Sequence, residues 1–300
     1  MSQRTKPPFR ADVVGSLLRP PALLAAREQH KKGEITAEIL RKLEDDAIRD
    51  AVKLREDVGL QAATDGEFRR ELWHMDFLKK FVNAEMYEAG IKIKFHSEQG
   101  DIDFTPPGIR VADKLSCPAG GIFVKDFEYL KSVANVTLKQ TIPSPTNMHF
   151  RGGRKAIDAR AYPDLDQFYV DLARLYREEI DGFAKAGCTY LQIDDVNFAY
   201  MCDPKFRADV RTNINEEPEQ LTHTYAKLIN ASIASRPYHK KTRRKEPECW
   251  GANDPHTRLG LWSTSTFLIV HQPEGVVTDS KRYEVSIFPI GYTGGNALFY

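Results

Sequence analysis

The chain has 300 residues, 43 Lys and Arg against 42 Asp and Glu, a net charge of +1 and 41% hydrophobic residues. That is enough for one large core or two ordinary ones, and the even charge balance gives no pointer to nucleic acid or a membrane surface. Cys117, Cys188, Cys202 and Cys249 lie far apart without a Cys-x-x-Cys pair, and the N-terminus has no apolar signal core. A disulfide framework, a compact zinc knuckle and a membrane span are therefore not expected, and the chain is expected to be cytoplasmic.

Taken in order, "ADVVGSLL" (11–18) reads as a strand leading into Gly15 and Ser16. From 35 to 59, Leu40, Leu43, Ala47, Ala51, Leu54 and Val58 recur at a helical period, with Thr36 as N-cap and Gly59 at the left-handed C-cap position. "LQAATDGEF" then makes a short strand ending in Asp65 and Glu67. The Gly- and Pro-broken alternation of 91–111 predicts a hairpin excursion, and "GIFVKDF" (121–127) and "VTLKQTIPSP" (136–145) predict strands.

The same grammar returns at 164–187, where Leu165, Phe168, Leu172, Leu175, Ile180 and Phe183 share a helix face that stops at Gly187. "CTYLQIDD" follows, an apolar strand ending in Asp194 and Asp195. A third helix near 216–235 carries Leu221, Tyr225, Leu228 and Ile233. Strands alternating with long helices mean a parallel α/β architecture. Polar clusters at strand C-termini, with no GxGxxG or Walker loop, favour a (β/α) barrel. Beyond Pro237 no helix-length period appears, and only "STFLIV" and "YEVSIF" read as strands.

Several clusters could carry chemistry. Gly15–Ser16 could contact a ligand carboxylate or could be an ordinary turn. Glu67 could accept hydrogen bonds from an ammonium group or could begin a salt-bridged helix. Adjacent strand residues point to opposite faces, so only one of Asp194 and Asp195 should enter a barrel mouth while the other bonds a loop or an arginine. Ser144, Thr146, Asn147 and His149 follow a strand in a Pro-stiffened loop that could line a pocket. The basic run 239–245 lacks the context of a nucleic-acid patch.

"FRADVVGSLLRP", "TDGEFRRELWHMDF", "TIPSPTNMHF" and "YLQIDDVNFAYMCDP", in that order, resemble the cobalamin-independent methionine synthase superfamily, over about residues 8–236. The resemblance implies a (β/α)8 barrel, shared with uroporphyrinogen decarboxylase, that moves a methyl group from 5-methyltetrahydrofolate to homocysteine. It implies that Ser16 holds the homocysteine carboxylate and that Glu67 and Asp194 hold its ammonium. Asp195 stands in place of the family's second acid, and Thr146 to His149 lie on the folate side. Val13 replaces the histidine that many single-domain relatives carry.

The resemblance also implies zinc, which makes the homocysteine sulfur a thiolate. The family's His-x-Cys and its later Glu and Cys ligands are absent, so no metal ligand is assigned. The barrel is therefore expected to be incomplete, spanning 1–236, with 237–300 an atypical tail such as truncation followed by unrelated sequence would leave. Two other readings stay open: a non-catalytic barrel keeping only an amino-acid half-site, and a porphyrin-decarboxylase-like barrel using Arg10, Arg19, Arg69 and Arg70 for substrate carboxylates.

Overall fold

The computed structural model describes residues 7, 9, 11–88, 93–97, 100–104, 107–202, 204–234, 265–271 and 284–290. The helices are α1 (Pro21–Lys31), α2 (Ala37–Asp57), α3 (Met75–Leu78), α4 (Val124–Val133), α5 (Leu165–Ala186), α6 (Asn197–Cys202), α7 (Pro204–Asp209) and α8 (Pro218–Ile233). The strands are β1 (Ala62–Ala63), β2 (Val82–Glu88), β3 (Ile93–Ser97), β4 (Gly100–Phe104), β5 (Pro107–Ser116), β6 (Thr137–Pro143), β7 (Tyr190–Asp195), β8 (Ser265–His271) and β9 (Glu284–Ile290). The main sheet runs β1-β6-β7-β8-β9. β1, β6 and β7 are parallel, with Ala62 opposite Thr137 and Thr141 opposite Gln192. Helices α4 and α5 pack on this wall, giving the expected α/β barrel architecture in incomplete form. β8 and β9 continue the sheet antiparallel, at the two tail segments that read as strands.

The caps explain where the long helices begin and end. Thr36 accepts a hydrogen bond from the Ile39 amide at the start of α2. Asp164 does the same for Asp166 at the start of α5, and Gly187 ends that helix at φ 99°. Leu172, Leu175, Ile180 and Phe183 of α5 are buried with Phe77 and Phe127 in the main core, on the predicted face. Leu221, Tyr225 and Leu228 of α8 are buried as expected. The hairpin excursion is present as the β3–β4 hairpin and the antiparallel β2–β5 ribbon.

Three expectations need correction. Residues 11–18 form no strand; they run alongside the β1 loop, with the Leu17 amide bonding the Gly66 carbonyl. Residues 121–127 turn into α4, because the buried Glu179 carboxylate accepts the Ile122 and Phe123 amides and fixes a helix entry. The buried face of α2 is Glu44, Ile48, Ala51, Val52 and Arg55, whereas Leu54 and Val58 are 63% and 67% exposed. Arg55 donates to the Thr64 carbonyl, and Glu44 lies 3.6 Å from Arg27. Polar anchors, which a hydrophobic pattern does not register, turn this helix.

Candidate functional site

The site is built in layers on β6 and β7. Lowest, the buried Lys139 ammonium donates to Asp12 Oδ2 (3.0 Å) and the Val13 carbonyl (2.7 Å), and the Tyr190 hydroxyl donates to the same Asp12. This ties residues 12–13 across the base of the wall. Above it, Thr141 and Gln192 stand opposite in register, each anchoring one acid. Thr141 Oγ1 donates to Glu67 Oε1 at 2.7 Å, and Gln192 Nε2 donates to Asp194 Oδ1 at 2.6 Å.

Glu67 reaches this layer through an unusual backbone. Gly66 and Glu67 both have positive φ, 66° and 57°, a conformation that costs a non-glycine residue about 1 kcal/mol or more and persists only when its surroundings enforce it. Here the Glu67 amide donates to Asp65 Oδ1 (2.9 Å), Thr64 Oγ1 donates to the Gly15 carbonyl (2.6 Å), and Arg19 Nη2 donates to the Glu67 carbonyl (3.2 Å). Arg70 Nη1 lies 3.2 Å from Glu67 Oε1. A Cβ on Gly15 would sit 2.7 Å from Thr141 Cγ2 and 2.8 Å from Glu67 Oε1, so only glycine lets the 11–18 segment approach this closely. Ser16 beside it is exposed.

The two β7 acids divide as strand alternation requires. Asp194 shares the face of Tyr190 and Gln192. Burial, with the charge of Glu67 adding to it, pushes the Asp194 carboxyl up to about 7, against the Gln192 hydrogen bond and the charges of Arg70 and Lys139. Asp195 turns away and joins two loops: it accepts Thr146 Oγ1 (2.6 Å) and the Asn197 and Phe198 amides (2.8 and 3.2 Å). Burial raises its carboxyl too, against those hydrogen bonds. Thr146 also accepts Asn197 Nδ2 at 2.7 Å. His149 is fully buried, with Nδ1 2.9 Å from the Tyr225 hydroxyl and no partner for Nε2. Burial pushes its imidazole down to about 4, with Arg154 adding to the effect.

The structure thus brings Glu67, Asp194 and the Gly15–Ser16 segment together, and groups Asp195 with Thr146. Thr141 and Gln192 carry the geometry and were not singled out as anchors; their signal is the β6/β7 register, which one strand read alone does not reveal. The Glu67 charge helps raise the buried Asp194 carboxyl, so a cation such as an ammonium placed beside the two acids would displace the Asp194 proton.

The arginines of the porphyrin reading are committed elsewhere. Arg19 and Arg70 donate to the Arg70 and Thr141 carbonyls, and Arg69 pairs with Asp45 and Asp126. Arg10 lies outside the described residues. Among the described residues no three His, Cys, Asp or Glu side chains are placed to hold a metal. Burial pushes the Cys117 and Cys188 thiols up to about 12, the wrong direction for thiolate ligands. Cys249 lies outside the described residues. The described residues therefore do not fit the expected zinc.

No family model matches the chain. It is 40% identical over 239 residues to the uncharacterized protein YxjH of Bacillus subtilis, covering 78% of this chain and 60% of that protein. It is 25% identical over 184 residues to a methionine synthase of Sulfolobus acidocaldarius, covering 61% and 50%. Among solved structures, a Listeria monocytogenes protein assigned as a vitamin-B12-independent methionine synthase superposes with a TM-score of 0.62 at 36% identity, over 77% of this chain and 62% of that one. The chain spans about 60% of the length of the curated relative YxjH.

Proposed function

The chain belongs to the cobalamin-independent methionine synthase superfamily, and from that premise we propose that residues 1–236 form a barrel portion binding homocysteine or a related amino-acid thiol. Glu67 and Asp194 grip the ammonium group, and Ser16 with the neighbouring backbone grips the carboxylate. Asp195, Thr146 and His149 hold the turn after β6 on the side where 5-methyltetrahydrofolate would bring its methyl group. The observation that carries this reading is the convergence of Glu67 and Asp194, with Glu67 held at φ 57° by a surrounding network. Strain maintained at this cost points to function.

The proposed reaction is methyl transfer to the thiol. In this family zinc would supply thiolate formation. The described residues do not fit zinc, so no step is assigned to it. That same observation favours a second reading, in which this barrel portion binds the amino acid without transferring a methyl group.

Titration with L-homocysteine and with 4-sulfanylbutanoate, which lacks the ammonium, tests the shared part. Homocysteine should bind at least tenfold more tightly, a difference of about 1.4 kcal/mol or more. Equal affinity would remove the proposal. Methionine formation from both substrates, measured with added zinc, separates the two readings.

A further inference from the structure

Residues 11–18 run along the wall without joining its sheet. Among the described residues, a single backbone–backbone hydrogen bond holds this segment, from the Leu17 amide to the Gly66 carbonyl at 3.0 Å. Its path is therefore set by side chains. At Gly15 the anchor lies on the turn after β1, where Thr64 Oγ1 donates to the Gly15 carbonyl at 2.6 Å.

At Asp12 the anchors lie on β6 and β7. Lys139 and Tyr190 stand opposite in register, and Asp12 Oδ2 accepts from both, from the Lys139 ammonium at 3.0 Å and from the Tyr190 hydroxyl. Lys139 Nζ also donates to the Val13 carbonyl at 2.7 Å and lies 5.1 Å from the centre of the Tyr190 ring. Asp12 Oδ1 accepts the Val13 amide at 2.8 Å, which fixes the carboxylate against its own backbone. The Lys139 side chain is 2% exposed and that of Asp12 17%. A buried ion pair is a weak source of net stability, because desolvation offsets most of its attraction. What this pair supplies is geometry: charge-assisted hydrogen bonds tie Asp12 and Val13 to the strand that ends in Asp194.

Tyr190, Gln192 and Asp194 share one face of β7, as Lys139 and Thr141 share one face of β6. Asp12 lies level with Lys139 and Tyr190, and Gly15 lies level with Thr141, whose Cγ2 a Gly15 Cβ would meet at 2.7 Å. The segment thus climbs the wall in step with the β7 side chains and presents Ser16 one residue beyond that contact. We propose that Asp12, clamped between Lys139 and Tyr190, is a positioning residue that holds the Gly15–Ser16 arm at the distance from Asp194 that the carboxylate and ammonium of one α-amino acid require. It touches no ligand. The inference rests on the amino-acid reading of the same site and adds the source of its selectivity: a ligand carrying both groups senses Asp12, whereas one carrying the ammonium alone does not.

The test is calorimetric titration of the full chain at about pH 8 with L-homocysteine, 3-aminopropanethiol, which lacks the carboxylate, and 4-sulfanylbutanoate, which lacks the ammonium. The wild type should prefer homocysteine to both by at least about tenfold. Asp12→Ala should weaken homocysteine at least about fivefold. Asp12→Asn removes the same charge but keeps an oxygen acceptor for Lys139 and Tyr190, so it should retain the homocysteine affinity to within about twofold. The two variants should bind 3-aminopropanethiol equally. Tyr190→Phe deletes one donor and no charge; it should lose about threefold for homocysteine and nothing for 3-aminopropanethiol, and it decides the matter if Asp12→Ala does not fold. Failure of the amino-acid reading shows in the wild type, as equal affinity for homocysteine and 4-sulfanylbutanoate, and would remove both proposals. With that preference intact, unchanged homocysteine affinity in folded Asp12→Ala or Tyr190→Phe would overturn the positioning role alone. An equal loss for homocysteine and 3-aminopropanethiol would overturn it too.

Discussion

At the residue scale, Asp194 links ligand binding and stability to pH. Its carboxyl, ordinarily near about 3.9, is raised to about 7 by burial and by Glu67. A raised carboxyl stabilises the fold fully below its unfolded value, and that contribution is lost as pH rises through the folded value. Asp194→Asn should therefore match the wild type near about pH 4 and exceed it by on the order of a few kcal/mol at about pH 8. Melting curves across that range check this. Affinity for an amino acid should rise with pH up to about 7 and then level off, because below that value the ammonium must displace a proton.

Gly15 offers a second test at this scale. Its Cβ would collide with Thr141 Cγ2 and Glu67 Oε1 at 2.7 and 2.8 Å, so Gly15→Ala should cost about 1–3 kcal/mol, measured by denaturant unfolding. The same change should weaken the amino-acid ligand by displacing Glu67. The acids themselves were legible in the sequence, because carboxylates after short apolar strands stand out. Their anchors were not. Thr141 and Gln192 gain their meaning from facing each other across β6 and β7.

At the element scale, the glycine-stopped helices could be read directly, since caps and the 3.6-residue period are local signals. The face of α2 could not. Its sequence offers two overlapping apolar stripes, and the choice between them is made by Glu44 reaching Arg27 and Arg55 reaching the Thr64 carbonyl. Ile48→Ala should cost about 2–5 kcal/mol, and Leu54→Ala about 0.5 kcal/mol or less. Chemical denaturation of the two variants distinguishes the faces. Residues 121–127 misled for a related reason: "GIFVKDF" has the aromatic and β-branched content of a strand, but the capping acid Glu179 lies on α5, far away in sequence.

At the scale of the whole molecule, the parallel wall β1-β6-β7 and the turn after β1 carry the residues of the proposed ammonium site, and the antiparallel β8 and β9 extend the wall at the far edge. Among the described residues no helix is long and apolar enough to cross a membrane. The proposed amino-acid half-site draws on this wall, whereas among the described residues no cluster of His, Cys, Asp and Glu is placed for a metal. Motif order made the family legible from sequence. The fate of residues 237–264 was not, since they carry no periodic pattern and lie outside the described residues.

The most direct test of the central claim is calorimetric titration of L-homocysteine into the wild-type chain and Glu67→Gln at about pH 8, where Asp194 is ionised. The account predicts saturable binding to the wild type that weakens at least tenfold in the variant, about 1.4 kcal/mol or more. Wild-type affinity retained by a folded Glu67→Gln would contradict it.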